Sequence, residues 1–287
     1  MNDIIATFMF FTRLPLWRIS KVPADSFKRI VAYWPLTGLL TGGVMTAVYL
    51  LAIYLHFHAI TAVLFAFISR LLLTGALHED GLADFFDGFG GGHTREQVLS
   101  IMKDSHTGSY GVLGLILYIF LWVSSVFILT QQFNGGEYII FFTCDIWSKW
   151  CASQIVNRLP YARKEEDSKI KKTYDRMSPG RFITGFIFGI LPFICMLVSN
   201  FCGYQPEITD ITTQAATITT EHNALSNVSS ATLIMIVGAI MPFIIMLLLA
   251  GYMRRRIQGY TGDCCGAMFL LCELSYLLIL ICLWKFI

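Results

Sequence analysis

Apolar residues along this chain gather into blocks of about twenty separated by short polar segments, the length that a hydrocarbon core of about 30 Å demands of a helix. The blocks fall near 31–55, 59–77, 108–130, 138–156, 182–201, 231–252 and 264–285, which predicts seven spans. Pro35, Pro192 and Pro242 lie inside such blocks and predict kinks. Ahead of them, the apolar run from Ile4 to Phe11 is too brief to cross a bilayer and leads into a stretch carrying Arg13, Arg18, Lys21, Lys28 and Arg29. That pattern reads as an interfacial or re-entrant segment. Asp3 precedes the run and no basic n-region or cleavage site accompanies it, so no removable signal peptide is expected. The expected fold class is all-α, a polytopic integral membrane helical bundle with about seven transmembrane helices plus interfacial segments, forming one membrane-embedded domain over residues 1–287.

Composition agrees with the pattern. Of 287 residues, 55% are hydrophobic and 14% charged, outside the balance of a soluble domain. A net charge of +2 gives no basis for nucleic acid as a partner. The eight cysteines show no metal-ligand spacing and read as reduced packing residues. Basic residues orient the chain: 18 of the 21 Lys and Arg fall in the segment before the first span or in 78–107, 157–181 and 253–263, and the intervening loops 56–58, 131–137 and 202–230 hold none. The positive-inside rule then places the N-terminus and these segments in the cytoplasm and the C-terminus outside a cytoplasmic (inner) membrane. Loop 202–230, rich in Ser, Thr and Asn, reads as an outer excursion, and Asn227 opens an isolated glycosylation sequon.

The candidate chemistry sits between the second and third spans. Six of the nineteen acidic residues lie between Thr74 and Gly111: Glu79, Asp80, Asp84, Asp87, Glu96 and Asp104. On a helix Asp80, Asp84 and Asp87 share one face about a turn apart, where like charges repel unless a cation gathers them. Oxygen ligands without a His/Cys set favour Mg²⁺ or Mn²⁺. Gly88, Gly90, Gly91 and Gly92 follow, and are expected to break the helix so that backbone N–H groups approach a ligand. Lys103 can neutralise phosphate oxygens, and Asp104 can either join the metal shell or cap the next helix. Arg13, Arg158 and Arg163 are further phosphate candidates, because guanidinium binds phosphate through paired hydrogen bonds. Asp263, at the mouth of the last span, can complete the metal site. Arg70, Asp145, Lys149 and Glu273 are intramembrane ionisable groups, with Asp145–Lys149 one turn apart and Arg70–Glu273 a candidate pair.

Five stretches, FFTRLP (Phe10 to Pro15), LTGALHEDGLADFFDGFGGG (Leu73 to Gly92), IMKDSHTGSYG (Ile101 to Gly111), LPYAR (Leu159 to Arg163) and GYTGDCCGA (Gly259 to Ala267), together resemble the adenosylcobinamide-GDP ribazoletransferase (cobalamin-5'-phosphate synthase) family. The resemblance implies a Mg²⁺-dependent membrane transferase of late vitamin B12 assembly. Its substrates would be adenosylcobinamide-GDP and α-ribazole or α-ribazole 5'-phosphate, and its products adenosylcobalamin or its 5'-phosphate and GMP. The residues fit that chemistry: Asp80, Asp84, Asp87 and Asp104 are expected as metal ligands, with Asp263 as an optional addition, Lys103 with Arg163 on phosphates, and Glu79 or His78 as general base. Arg13, Arg158, Gly90, Gly91 and His106 join the substrate contacts; His106 stands where the family commonly carries Arg. Two other diphosphate chemistries stay open, a CDP-alcohol phosphotransferase, although Asp84 replaces the Arg its motif needs, and a prenyltransferase. A cation transporter is the reading from another class, and a homo-oligomer is left open as an assembly.

Overall fold

The computed structural model describes residues 1–132, 139–163, 174–201, 230 and 232–285. The helices are α1 (Asn2–Phe11), α2 (Trp34–Tyr54), α3 (Ala59–Thr74), α4 (Leu77–Gly91), α5 (Arg95–Ile101), α6 (Ser109–Thr130), α7 (Ile139–Ser153), α8 (Ile155–Arg158), α9 (Pro179–Phe201), α10 (Ile240–Ile257) and α11 (Gly262–Trp284). Three short 3-10 turns, Leu16–Arg18, Ala24–Lys28 and Ile30–Tyr33, carry the chain from α1 to α2. The outer loop expected at 202–230, with Asn227, lies outside the described residues except for Ser230, as does 164–173 of the basic segment.

The bundle is all-helical and polytopic, and five or six of the seven expected spans are candidates among the described residues. Five helical stretches are long and apolar enough to cross a membrane: Ile30–Tyr54, Ser109–Thr130, Pro179–Val198, Thr232–Ile257 and Gly262–Trp284. The segment expected as one span at 59–77 is instead α3 and α4 joined at a 90° bend, a sixth span if the pair is counted together. The bend has a local cause: Gly75 (φ 69°) and Ala76 (φ 56°) are both left-handed, which no helix propagates through. The segment expected at 138–156 is α7, described from Ile139 to Ser153, followed by the short α8.

Helix α11 is the axis of the structure. In its most apolar stretch 61% of residues are buried, against 28–39% in the other single spans. It meets α4 almost backbone to backbone: a Cβ at Gly81 would lie 2.9 Å from the carbonyl oxygen of Asp263, and one at Gly266 would lie 3.2 Å from Cα of His78. Small residues allow this approach where apolar lipid gives helices little hydrophobic reason to associate.

What specifies the packing is buried charge. Arg70 of α3 donates from Nη1 to both carboxylate oxygens of Glu273 in α11, at 2.7 and 2.9 Å, and from Nη2 to Tyr118 Oη of α6 at 2.9 Å. Tyr118 in turn donates to Glu273 at 2.7 Å, and Glu79 of α4 lies 3.5 Å from Nη2. The guanidinium also sits 5.1 Å from the ring centres of Phe67 and Trp122. A second ion pair, Lys149–Asp145 within α7, is completed by Thr41 of α2, which donates to Asp145 at 3.0 Å and accepts from Lys149 at 2.9 Å. The two intramembrane pairs suggested by the sequence are both formed.

Reversing one charge of a buried pair leaves two like charges facing each other. Arg70→Glu or Glu273→Arg alone should therefore cost roughly 3–5 kcal/mol, the range for breaking a buried pair. The doubly swapped protein should recover part of that loss in thermal unfolding in detergent; losses that simply add would contradict the coupling.

Candidate active site

The acidic helix α4 starts where the left-handed bend ends, and the N-terminal segment holds that bend in place. The Arg13 N–H donates to the Leu73 carbonyl at 2.8 Å, and the Arg13 side chain packs against Gly75 so closely that a Cβ there would collide with it. Arg29 anchors the segment from behind through two hydrogen bonds to Asp3, at 2.8 and 2.9 Å, which hold the Asp3 carboxyl below its ordinary range.

Two distant stretches are brought side by side. Ala162 donates to the Tyr260 carbonyl at 2.8 Å and Tyr260 to the Pro160 carbonyl at 3.0 Å, a short parallel bridge between Tyr161 and Tyr260. Arg95 fastens it from α5, donating to the carbonyls of Ile257 at 3.0 Å and Ala162 at 2.7 Å. Thr261 caps α11 by accepting from the Cys264 N–H at 3.3 Å, which sets Asp263 in the first turn.

Between these pieces lies a cavity of about 150 Å³. One part of its wall is aromatic, from Phe10, Phe11, Trp34, Tyr161 and Tyr174; the polar part is His78, Asp80, Arg163 and Asp263. Asp80 is exposed on α4, and Asp263 is half-buried on α11. The Arg163 side chain is only 5% exposed; its Nη2 donates to the Leu99 carbonyl at 3.2 Å and its Nη1 lies 3.9 Å from Asp263. His78 packs among Phe11, Trp34 and Phe269, with ring centres 5.0–5.9 Å apart.

Other expected site residues are placed elsewhere. Asp87 is buried, and its two carboxylate oxygens accept the N–H groups of Gly108 (2.7 Å) and Gly111 (2.8 Å), closing the start of α6. Asp84 is half-buried one turn beyond Asp80 and does not line the cavity. Asp104 is exposed and accepts from the His106 N–H at 3.0 Å, with the His106 ring at 2.7 Å holding its carboxyl below the usual range. Lys103 and His106 are exposed and, like Arg13 and Arg158, do not border the cavity. Glu79 is buried behind it, facing Arg70. Among the described residues no three His, Cys, Asp or Glu side chains form a group that could hold a metal ion, so the shared ion expected across one α4 face is not preassembled. The expected break of the helix at the glycines is not formed: α4 runs through Gly90 and Gly91, and a Cβ at Gly88, Gly90 or Gly92 would press on Met102, Tyr110 or Val98, so neighbouring residues approach closely there.

The family model described as cobalamin-5-phosphate synthase matches residues 3–281, nearly the whole chain. The chain belongs to the cobalamin-5-phosphate synthase family. It is 31% identical over 271 residues to an adenosylcobinamide-GDP ribazoletransferase of Leptospira interrogans, covering 92% of this chain and 89% of that protein. A protein of the same name from Shewanella amazonensis is 32% identical over 279 residues, covering 96% and 93%. One from Shewanella halifaxensis reaches 46% identity over 121 residues, 42% of this chain and 46% of that one. No solved structure matches the chain.

Arg95 and the apolar part of the wall escaped sequence reading, because a cation bonded to two carbonyls looks like ordinary topology and Phe10, Phe11 and Trp34 in apolar runs look like packing. The two aspartates of α4 now predict different phenotypes. Asp87→Asn should lower stability by roughly 1–3 kcal/mol, because it weakens two N–H contacts at a buried helix end. Asp80→Asn, exposed, should change it by no more than about 0.5 kcal/mol. Thermal unfolding in detergent reads both, and equal losses would contradict the assignment.

Proposed function

We propose that this protein joins adenosylcobinamide-GDP to α-ribazole or α-ribazole 5'-phosphate with Mg²⁺, releasing GMP, and that the chemistry occurs at the cavity between α4 and the start of α11. The observation that carries the site is the meeting of Asp80, Asp263, Arg163 and His78 around one small space, from three of the stretches on which the family resemblance rests. At about 150 Å³ the space is smaller than the ~300–1,000 Å³ of a typical small-molecule site, so it takes the reacting diphosphate and ribose while the corrinoid ring stays outside.

The donor set fits the ion. Mg²⁺ is usually held by one or two carboxylates together with substrate phosphates, not by a complete protein cage. Asp80 and Asp263 supply that pair. The bound ion would withdraw charge from the diphosphate. Arg163, fixed by Leu99, neutralises a phosphate oxygen as negative charge accumulates. A ribose hydroxyl of α-ribazole forms the new P–O bond at the cobinamide-side phosphorus, and the bond from that phosphorus to the GMP oxygen breaks. His78 receives the hydroxyl proton; it is preferred to Glu79 because it borders the cavity while Glu79 faces Arg70. Lys103 and His106 stay outside this scheme.

The site belongs to the basic end of the bundle. Arg95, Arg254 and Arg256 bind backbone carbonyls of Ile257, Arg158 and Gly92 around it, which supports a cytoplasmic active site and N-terminus by the positive-inside rule. Helix α11 runs from there toward the opposite end, which supports an outer C-terminus.

Purified protein in lipid, given both substrates and Mg²⁺, should release GMP in step with a cobalamin product. EDTA should stop it, and Asp80→Asn or Asp263→Asn should lower kcat at least 100-fold, as for the loss of a preorganised charge-stabilising group. GMP release that persists in both variants would refute the site, and its absence from folded wild-type protein would refute the reaction.

A further inference from the structure

A second, larger space of about 510 Å³ lies between α7, α9 and α10, and none of its lining residues borders the carboxylate cavity. Its walls are almost entirely apolar and include Trp147, Trp150, Phe193, Leu197, Ile240 and Phe243. The two spans that flank it, Pro179–Val198 and Thr232–Ile257, are the least buried in the bundle, each 28%, so their outer faces meet the bilayer. The polar atom of Trp147 is already used, its Nε1–H donating to the Ala239 carbonyl at 2.7 Å.

One end of this apolar groove carries positive charge. The Arg158 guanidinium lies 5.7 Å from the ring centre of Phe243, a wall residue, and Arg254 donates to the Arg158 carbonyl at 3.2 Å. Neither arginine pairs with a carboxylate among the described residues. An apolar groove with one guanidinium over a wall ring, and a second arginine hydrogen-bonded to the backbone of the first, matches an amphiphile with an apolar tail and an anionic head. Arginine pairs geometrically with phosphate, and cations at a membrane surface favour anionic headgroups. A free phosphate would leave the groove unfilled.

We propose that the groove between α7, α9 and α10 holds an acyl chain of an anionic phospholipid whose phosphate is bound by Arg158 and Arg254. Arg158, expected from the sequence to contact substrate phosphate, thus serves a lipid site apart from the transferase cavity. The test is native mass spectrometry of the full chain, delipidated in detergent and titrated with phosphatidylglycerol or phosphatidylcholine bearing identical acyl chains. Wild-type protein should retain one phosphatidylglycerol per chain, at least tenfold more tightly than phosphatidylcholine. Arg158→Gln with Arg254→Gln should erase that preference, and Ile240→Trp, which fills the groove, should weaken both lipids at least tenfold. Equal wild-type affinities, a measurement that needs no variant to fold, would overturn the proposal. So would a preference that survives the double substitution, or a lipid-free dimer.

Discussion

A single guanidinium placed among membrane-spanning helices dictates much of this structure. Charge at that depth must be neutralised by protein, and Arg70 does so by drawing Glu273, Tyr118 and Glu79 to itself from three other helices. Because α3, α4, α6 and α11 all answer to the same group, their relative positions are set by hydrogen-bond geometry. Apolar contact alone would tolerate sliding and rotation. This is also why the ionisable residues within the bundle do not describe an ion pathway: Arg70 with Glu273 and Lys149 with Asp145 satisfy one another.

From that anchor the site follows in a few physical steps. The left-handed pair Gly75–Ala76 ends α3 and turns the chain through 90°, so that α4 can carry a polar face at the edge of an apolar bundle. Glycine at 81 and 266 lets α4 lie against α11, which brings Asp80 to the same cavity as Asp263. The bridge between Tyr161 and Tyr260, fastened by Arg95, delivers Arg163 to that place. Anionic and cationic groups on a small, partly aromatic cavity suit a diphosphate and its ion better than either would alone.

The sequence made the helical class, the basic end and the motif stretches legible, because membrane insertion and phosphate chemistry leave strong local marks. It also suggested the partners of Arg70 and Lys149, since an intramembrane charge needs one. Tertiary direction was not legible. Asp80 and Asp87 look equivalent on a helical wheel, yet one faces the cavity and the other closes α6, a difference set by where Gly108 and Gly111 pack. Arg158 and Arg163 flank the same four residues, but the chain between them turns, leaving one over Phe243 and the other beside Asp263. The glycines in the last turn of α4 read as a helix-breaking loop because the sequence alone does not distinguish close helix packing from close ligand approach.

If Asp80 and Asp263, not Asp87, connect the diphosphate to Mg²⁺, ion and substrate share one site. That sharing is tested most directly by measuring adenosylcobinamide-GDP binding as a function of Mg²⁺ concentration in the wild type and the three single Asn variants, since binding of ion and substrate at one site is thermodynamically linked. Mg²⁺ should tighten substrate binding in the wild type and in folded Asp87→Asn, and this dependence should disappear in Asp80→Asn and Asp263→Asn. A dependence that survives in the latter two and vanishes in Asp87→Asn would contradict the proposed site.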